Sequence, residues 1–199
     1  EEGFLINNKH YGFNLYIDNE YRLLRLYFND ITDIKRMQSE LKEQRDSIYD
    51  SLNYAQRIQR AILPELSFLN KYFDDHFVLY EPKDIVSGDF YWSTEHKDNL
   101  LLAMCDCTGH GVPGAFMSII GHNALNDIIK HTKFNQSSDV LNALNTYFYK
   151  SREESNHTVM DSMDMIFCHY NKQNKTLNFS GCLQQFYLWS HLIKMKFPK

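Results

Sequence analysis

The amino-acid sequence predicts an α+β fold with an antiparallel sheet. Strand-like stretches outnumber helical ones and follow one another along the chain, which favours antiparallel pairing over a doubly wound parallel sheet. A long charged stretch without glycine or proline predicts one extended helix ahead of this mixed region. With 199 residues, 43% hydrophobic and 15% aromatic, the chain can form one domain of roughly 150 residues plus a smaller segment.

The first 30 residues are predicted to contain a β-hairpin. Residues 11–17 and 21–28 are rich in aromatic side chains, and the turn-forming residues Asp18, Asn19 and Glu20 lie between them. Two strands alone are marginally stable in water, so we expect this hairpin to belong to a larger sheet.

Residues 31–63 are predicted to form a single helix. Pro64 ends it, and Asp30 or Thr32 can cap its first turn. Steps of three and four residues pass nine positions, seven of them apolar. A helix of roughly 50 Å is too long for a small domain to cover, so this seam predicts a coiled-coil dimer. The alternative is a solvated helix packed at one end on its own domain. The seam positions are Ile34, Met37, Leu41, Gln44, Ile48, Ser51, Ala55, Ile58 and Ile62.

Beyond Pro64 the chain is predicted to combine strands with two helices. Apolar and alternating stretches give the strands, and the two helices lie in the middle of the region. A polar turn at 171–175 joins two of the strands. The predicted strands are 76–80, 90–93, 100–105, 165–170, 176–179 and 186–190, and the predicted helices are 113–131 and 138–150.

Charge and cysteine usage narrow the classes of protein. A formal charge of −4 and a pI near 6.1 lack the basic excess of a nucleic-acid binder, so we expect no such partner. The four cysteines lie in strand-like runs rather than at disulfide spacings, which favours a cytoplasmic location. No apolar run approaches the ~20 residues of a membrane span. Because the chain begins at Glu1 and a strand-like segment runs almost to Lys199, we expect a fragment of a longer protein.

Two aspartates beside glycines are the candidate reactive residues. Asp89 follows Gly88, which permits close backbone approach, and Asp106 follows the strand at 100–105. Carboxylates at strand ends can converge, and Mg²⁺ and Mn²⁺ take oxygen ligands. Such a cation lowers the pKa of a coordinated water, which allows phosphoester hydrolysis without a protein nucleophile. The alternative is that Asp89 caps a turn and Asp106 caps the helix that Pro113 opens.

Several motifs resemble one known family. DIVSGDFYW at 84–92 and DCTGHGVPGAFMS at 106–118 resemble the leading motifs of metal-dependent PPM (protein phosphatase 2C-like) serine phosphatases of the sporulation stage II protein E type. YAQRIQRAILP at 54–64 and DSMD at 161–164 resemble the segment leading into that domain and a later strand opening. The hairpin with NDITDIK at 29–35 resembles the end of a PAS sensor domain.

The resemblance implies a function and a site. It implies an α/β/β/α sandwich whose sheets bring aspartates to a two-metal Mg²⁺ or Mn²⁺ site, with Asp89, Asp106 and the carbonyl of Cys107 as ligands. His110 can then act as general acid toward the leaving serine oxygen, the alternative being a turn residue. The implied organisation is 1–30 as the PAS end, 31–63 as a signalling helix and 64–199 as a partial phosphatase domain. The implied substrate is phosphoserine or phosphothreonine on an anti-sigma-factor antagonist.

The sequence also departs from the family pattern. Residues 165–199 contain no Asp or Glu, and GCLQQ at 181–185 replaces the usual Gly-Ala-Asn-Asn-Pro. We therefore expect an incomplete metal site, and the alternative function is a catalytically inactive signalling or scaffold module. Soft-metal binding by Cys105, Cys107 and His110 lacks a fourth ligand and is disfavoured against buried, reduced thiols.

Overall fold

The structure, a computed structural model, describes residues 3–18, 20, 22–155 and 162–182. The chain divides into two compact units, Glu1–Ser51 and Leu52–Lys199. Among the described residues, no helix has both the length and the apolar character needed to cross a membrane.

The first unit contains a three-stranded antiparallel sheet. Its strands are β1 (Gly3–Ile6), β2 (Lys9–Asp18) and β3 (Leu23–Asp30), in the order β1-β2-β3. The predicted hairpin is confirmed as β2 and β3, and β1 was missed. Asn7 and Asn8, both with positive φ, form the tight turn before β2, because asparagine tolerates the left-handed region that such hairpin turns need.

Helix α1 (Thr32–Ile62) confirms the predicted helix. Asp30 accepts hydrogen bonds from the backbone N–H (3.1 Å) and the hydroxyl (2.6 Å) of Thr32 at its start. These bonds, with one from Lys9, lower the pKa of Asp30 to about 2. Four apolar positions of the predicted seam in the first unit are exposed: Ile34, Met37, Leu41 and Ile48.

The second unit is built on a four-stranded antiparallel sheet. Its strands are β4 (Phe90–His96), β5 (Asn99–Cys107), β6 (Met163–Asn171) and β7 (Thr176–Cys182), in the order β4-β5-β6-β7. Helices α2 (Gly111–His131) and α3 (Ser137–Ser155) lie in the chain between β5 and β6. The predicted α+β class with antiparallel pairing is therefore confirmed.

The two faces of this sheet are covered differently. On one face, α2 and α3 pack against alternate residues of the strands. The core formed there includes Phe90, Trp92, Leu101 and Phe167 from the strands and Leu125 from α2. On the opposite face a short 3-10 helix (Ser67–Lys71) begins a smaller cluster. Leu69, Tyr72, Leu100 and Tyr170 are buried in that cluster.

One predicted strand is wrong and another lies outside the described residues. Residues 76–80 form no strand, and Phe77 and Leu79 are exposed. A β-prone sequence needs a partner strand for its backbone hydrogen bonds, and this segment pairs with none of the described strands. The strand predicted at 186–190 lies beyond the described residues.

Candidate active site

The register of β4 and β5 brings the two predicted aspartates together. Phe90 pairs with Cys105 at this end of the ladder, so Asp89, just before Phe90, faces Asp106, just after Cys105. Phe90 and Cys105 point into the helix-covered core. Because side chains alternate along a strand, both aspartates point to the opposite face.

The two carboxyl groups are within hydrogen-bonding reach of each other, and this changes the ionisation of Asp89. Partial burial raises the pKa of Asp89 to about 6, with further contributions from its hydrogen bond to Asp106 and from the negative charge of Asp106. Two like charges held this close disfavour full ionisation of both groups. A divalent cation between them would remove that repulsion.

Backbone contacts between glycines hold the two motifs close. A Cβ on Gly88 would lie 2.9 Å from the Gly109 carbonyl oxygen and 3.0 Å from the Cys107 carbonyl oxygen. A Cβ on Gly114, in the first turn of α2, would lie 2.6 Å from the same Gly109 oxygen. The segment before Asp89 therefore packs directly on the turn that follows Asp106, beside the carbonyl predicted as a metal ligand.

His110 occupies the N-cap position of α2 and makes no side-chain capping bond. Asp106 does not stand at that position, so the alternative in which it caps the helix is wrong. The Nδ1 atom of His110 lies 3.1 Å from Oδ2 of Asp84, and 84% of the His110 side chain is exposed. The structure thus pairs two residues that are 26 positions apart in the sequence.

A third aspartate lies on the next strand of the sheet: Asp164 on β6 is paired with Asp106 on β5. Even so, in the described part of the chain no three His, Cys, Asp or Glu residues are grouped so that they could hold a metal ion. Cys105 and Cys107 are buried in the core, as expected for thiols that pack as small hydrophobic groups.

Three residues at the site were not singled out from the sequence. The Tyr80 hydroxyl donates to the Asp89 carbonyl (3.2 Å), Asp84 pairs with His110, and Gln59 of α1 binds the backbone of Ser87. A signal for Gln59 was present: with Gln56 it gives two amides about one helical turn apart near the end of the helix.

A separate cavity of about 730 Å³ lies between α3 and the strands β6 and β7. Its lining includes Leu141, Phe148, Met163 and Cys182 but neither Asp89 nor Asp106. The carboxylate pair is therefore not part of this cavity.

Known proteins share parts of this sequence and fold. Residues 96–191 match the family model for stage II sporulation protein E (SpoIIE). The SiaA-PP2C domain of Pseudomonas aeruginosa is 32% identical with a TM-score of 0.62, covering 70% of this chain and 55% of that structure. A Mycobacterium tuberculosis structure of RsbU and RsbW domains is 22% identical with a TM-score of 0.35, covering 45% of this chain and 23% of that one. No curated protein sequence is significantly similar to the chain.

The antiparallel sheet, the helices on one of its faces and the likeness to SiaA-PP2C define the second unit as a PPM-type, protein phosphatase 2C-like domain. Within that class it is a phosphatase domain of the SpoIIE family. The chain spans 55% of the SiaA-PP2C structure.

Replacing Gly114 with alanine is expected to destabilise the protein by about 2 kcal/mol. The added Cβ would press on the Gly109 carbonyl, and overpacking of this kind costs about 1–3 kcal/mol. At an ordinary helix position the same change would stabilise by roughly 1 kcal/mol. Thermal unfolding should show a midpoint lower by about 4–8 °C.

Gly121→Ala, in the same helix, is the matched control for this substitution. Its Cβ would meet the Met163 Sδ atom at 3.0 Å and the Phe90 ring at 3.1 Å. Because side chains can move aside more easily than a backbone carbonyl, the loss should be less than half as large. An unchanged midpoint for Gly114→Ala would contradict the close backbone contact.

The metal-free protein should become less stable as the pH rises through the pKa of Asp89. That pKa, about 6, is above the usual 3.8, so the folded state binds this proton more tightly than the unfolded chain does. The contribution is complete below pH 4 and is lost as the pH rises through 6.

Asp106→Asn tests this pH dependence, because it removes the neighbouring charge. In EDTA it should stabilise the protein by about 1 kcal/mol at pH 7, after allowance for the solvent exposure of Asp89. Near pH 4 it should have little effect. Unfolding midpoints of both proteins between pH 4 and 7.5 measure the difference, and a constant difference would show that the carboxyl groups do not interact.

Proposed function

We propose that the second unit hydrolyses phosphoserine or phosphothreonine on a regulatory protein, with a divalent cation held by Asp89 and Asp106. The observation that carries the proposal is the contact between these two carboxyl groups at neighbouring strand positions, where burial and mutual repulsion raise the pKa of Asp89 to about 6. Two carboxylates held this close attract a divalent cation more strongly than either carboxylate would alone.

The donor set fits Mg²⁺ or Mn²⁺. Both cations prefer oxygen ligands and keep several waters, and the Asp89 and Asp106 carboxylates and the Cys107 carbonyl are oxygen donors beside the Gly88 contact. When bound, the cation supplies Lewis-acid activation of water and phosphate. The Asp89 and Asp106 carboxylates would hold the cation, and the cation would offset the negative charge of the phosphate.

His110 is the residue we assign to proton donation. Its Nδ1 atom is engaged by Asp84, so Nε2 is the nitrogen that would give a proton to the leaving serine oxygen. Because the His110 side chain is 84% exposed, a phosphorylated side chain carried on another protein can reach it. A regulatory protein of the anti-sigma-factor antagonist type is the substrate implied by the family resemblance.

A catalytically inactive scaffold is the second candidate function. Two observations favour it. Among the described residues, no three His, Cys, Asp or Glu side chains are grouped so that they could hold a metal ion, and residues 165–199 contain no Asp or Glu. Such a module would keep the fold and its partner without turnover.

Hydrolysis of a chromogenic phosphoester with Mn²⁺ separates the two functions. We expect activity that depends on Mn²⁺ and that Asp106→Asn reduces by at least about 100-fold, since one of the two cation-holding carboxylates is lost. The 199-residue chain should be compared with a longer chain extended past Lys199. Lack of Mn²⁺-dependent activity in both would favour the scaffold.

We also propose that the chain forms a homodimer through residues 31–63. The support is the apolar seam, whose Ile34, Met37, Leu41 and Ile48 are exposed in one chain, because such a seam is stabilised when a second helix covers it.

Leu41→Glu should therefore weaken the dimer by about tenfold or more, because it places a charge in the seam. Ser39→Glu introduces the same side chain two residues away, on the opposite side of the helix, and should leave the dimer intact. Sedimentation equilibrium measures both dissociation constants. A dimer equally stable in both variants, or a monomeric parent chain, would rule out this seam as the interface.

A further inference from the structure

Sulfur-bearing side chains are concentrated at one end of the second unit's sheet, on the face that α2 and α3 cover. On β6, Met163 and Met165 are two residues apart and therefore point to the same face. Met165 is paired with Cys105 of β5 on one side and with Cys182 of β7 on the other. Because paired residues of neighbouring strands share a face, three adjacent strands bring thiol and thioether groups together.

Four of the sulfur-bearing residues line the cavity of about 730 Å³ between α3 and the strands β6 and β7: Met117 of α2, Met163, Met165 and Cys182. The Cys182 thiol donates a weak hydrogen bond to the Met163 carbonyl (3.7 Å), which keeps it beside β6. Cys182 is exposed, whereas Met117 and Met165 are buried. The cavity therefore has a thiol that solvent can reach and thioethers further in.

The rest of the cavity wall is uncharged. Among the described residues that line it, none is Asp, Glu, Lys, Arg or His. Hard cations such as Mg²⁺ prefer carboxylate and other oxygen ligands, whereas thioethers and thiolates are soft ligands that select Cu(I). One thiolate and one Cu(I) ion together carry no net charge, so an apolar wall tolerates them better than it would a dication held by the same thiolate.

We propose that Cys182, Met163 and Met165 form a binding site for Cu(I), with the Cys182 thiolate as the anionic ligand. When the ion binds, the thiol releases its proton to solvent, so one Cu(I) enters, one proton leaves and no oxidation state changes. Cys105 is not included, because its thiol is buried and burial raises its pKa.

This site is separate from the one assigned to the phosphatase reaction. Side chains alternate along β5 and β6, so the carboxyl groups of Asp106 and Asp164 lie on the face opposite Met163 and Met165. The Cu(I) proposal therefore does not depend on the proposed function.

The test measures Cu(I) binding to the reduced 199-residue chain by competition with bicinchoninate, whose coloured Cu(I) complex shows how much ion the protein removes. Cys182→Ala should weaken binding by at least about 100-fold, since it removes the anionic ligand. Met163→Leu and Met165→Leu should each weaken it by about 10-fold or more, because leucine conserves the side-chain volume but lacks the sulfur. Circular dichroism without copper checks that each variant folds.

Met104→Leu and Cys168→Ala are the matched controls. Both residues alternate with those that face the cavity and lie on the opposite face of the sheet, and neither lines the cavity. Both variants should bind Cu(I) as the parent chain does. Asp106→Asn should also keep the parent affinity for Cu(I), whatever its effect on Mn²⁺-dependent hydrolysis, which separates this inference from the proposed function.

Three results would overturn the site. Parent affinity in Cys182→Ala would show that its thiol is not a ligand. Parent affinity in both methionine variants would show that an exposed thiol alone accounts for the binding. A parent chain that removes no Cu(I) from bicinchoninate would show that the sulfur-bearing side chains only pack. X-ray absorption at the copper edge should find sulfur neighbours in the parent chain, and coordination by nitrogen or oxygen alone would equally contradict the proposal.

Discussion

Two carboxyl groups held against each other at the end of the β4–β5 ladder are the constraint on which the second unit depends. The pairing of Phe90 with Cys105 fixes their separation, and the core beneath these two residues prevents the strands from slipping. A slip of β4 by one residue would turn Asp89 towards the apolar core. The hydrophobic side of the sheet thus determines the geometry of its polar side.

The electrostatic cost of this arrangement is matched by contacts around it. Glycine backbones at positions 88, 109 and 114 lie close enough to lock the two motifs together, and the Gln59 carboxamide satisfies the backbone that enters the site. Repulsion between the aspartates would otherwise separate the strand ends. In the metal-free state the two carboxylates repel each other, and a bound cation can relieve that repulsion.

Periodicity and turn residues were enough to predict α1, α2, α3 and most strands, because these elements are specified by local pattern. The same reasoning failed for residues 76–80, which have strand propensity but no partner strand among the described residues. It also failed for β1, because the Asn7–Asn8 turn was not recognised. The approach of Asp89 to Asp106 was predicted from strand ends and motifs. Gln59 and Asp84 were missed because their partners, Ser87 and His110, are 28 and 26 positions away.

The thiols of the second unit differ in accessibility. Cys105, Cys107 and Cys168 are buried, and burial raises the pKa of Cys105 and brings that of Cys168 to about 11. The Cys105 and Cys168 thiols therefore stay protonated and poorly nucleophilic at neutral pH. Cys182, at the end of β7, is exposed. A maleimide dye should therefore attach at that one position in the native protein, which provides a spectroscopic reporter at the sheet edge without any engineered cysteine.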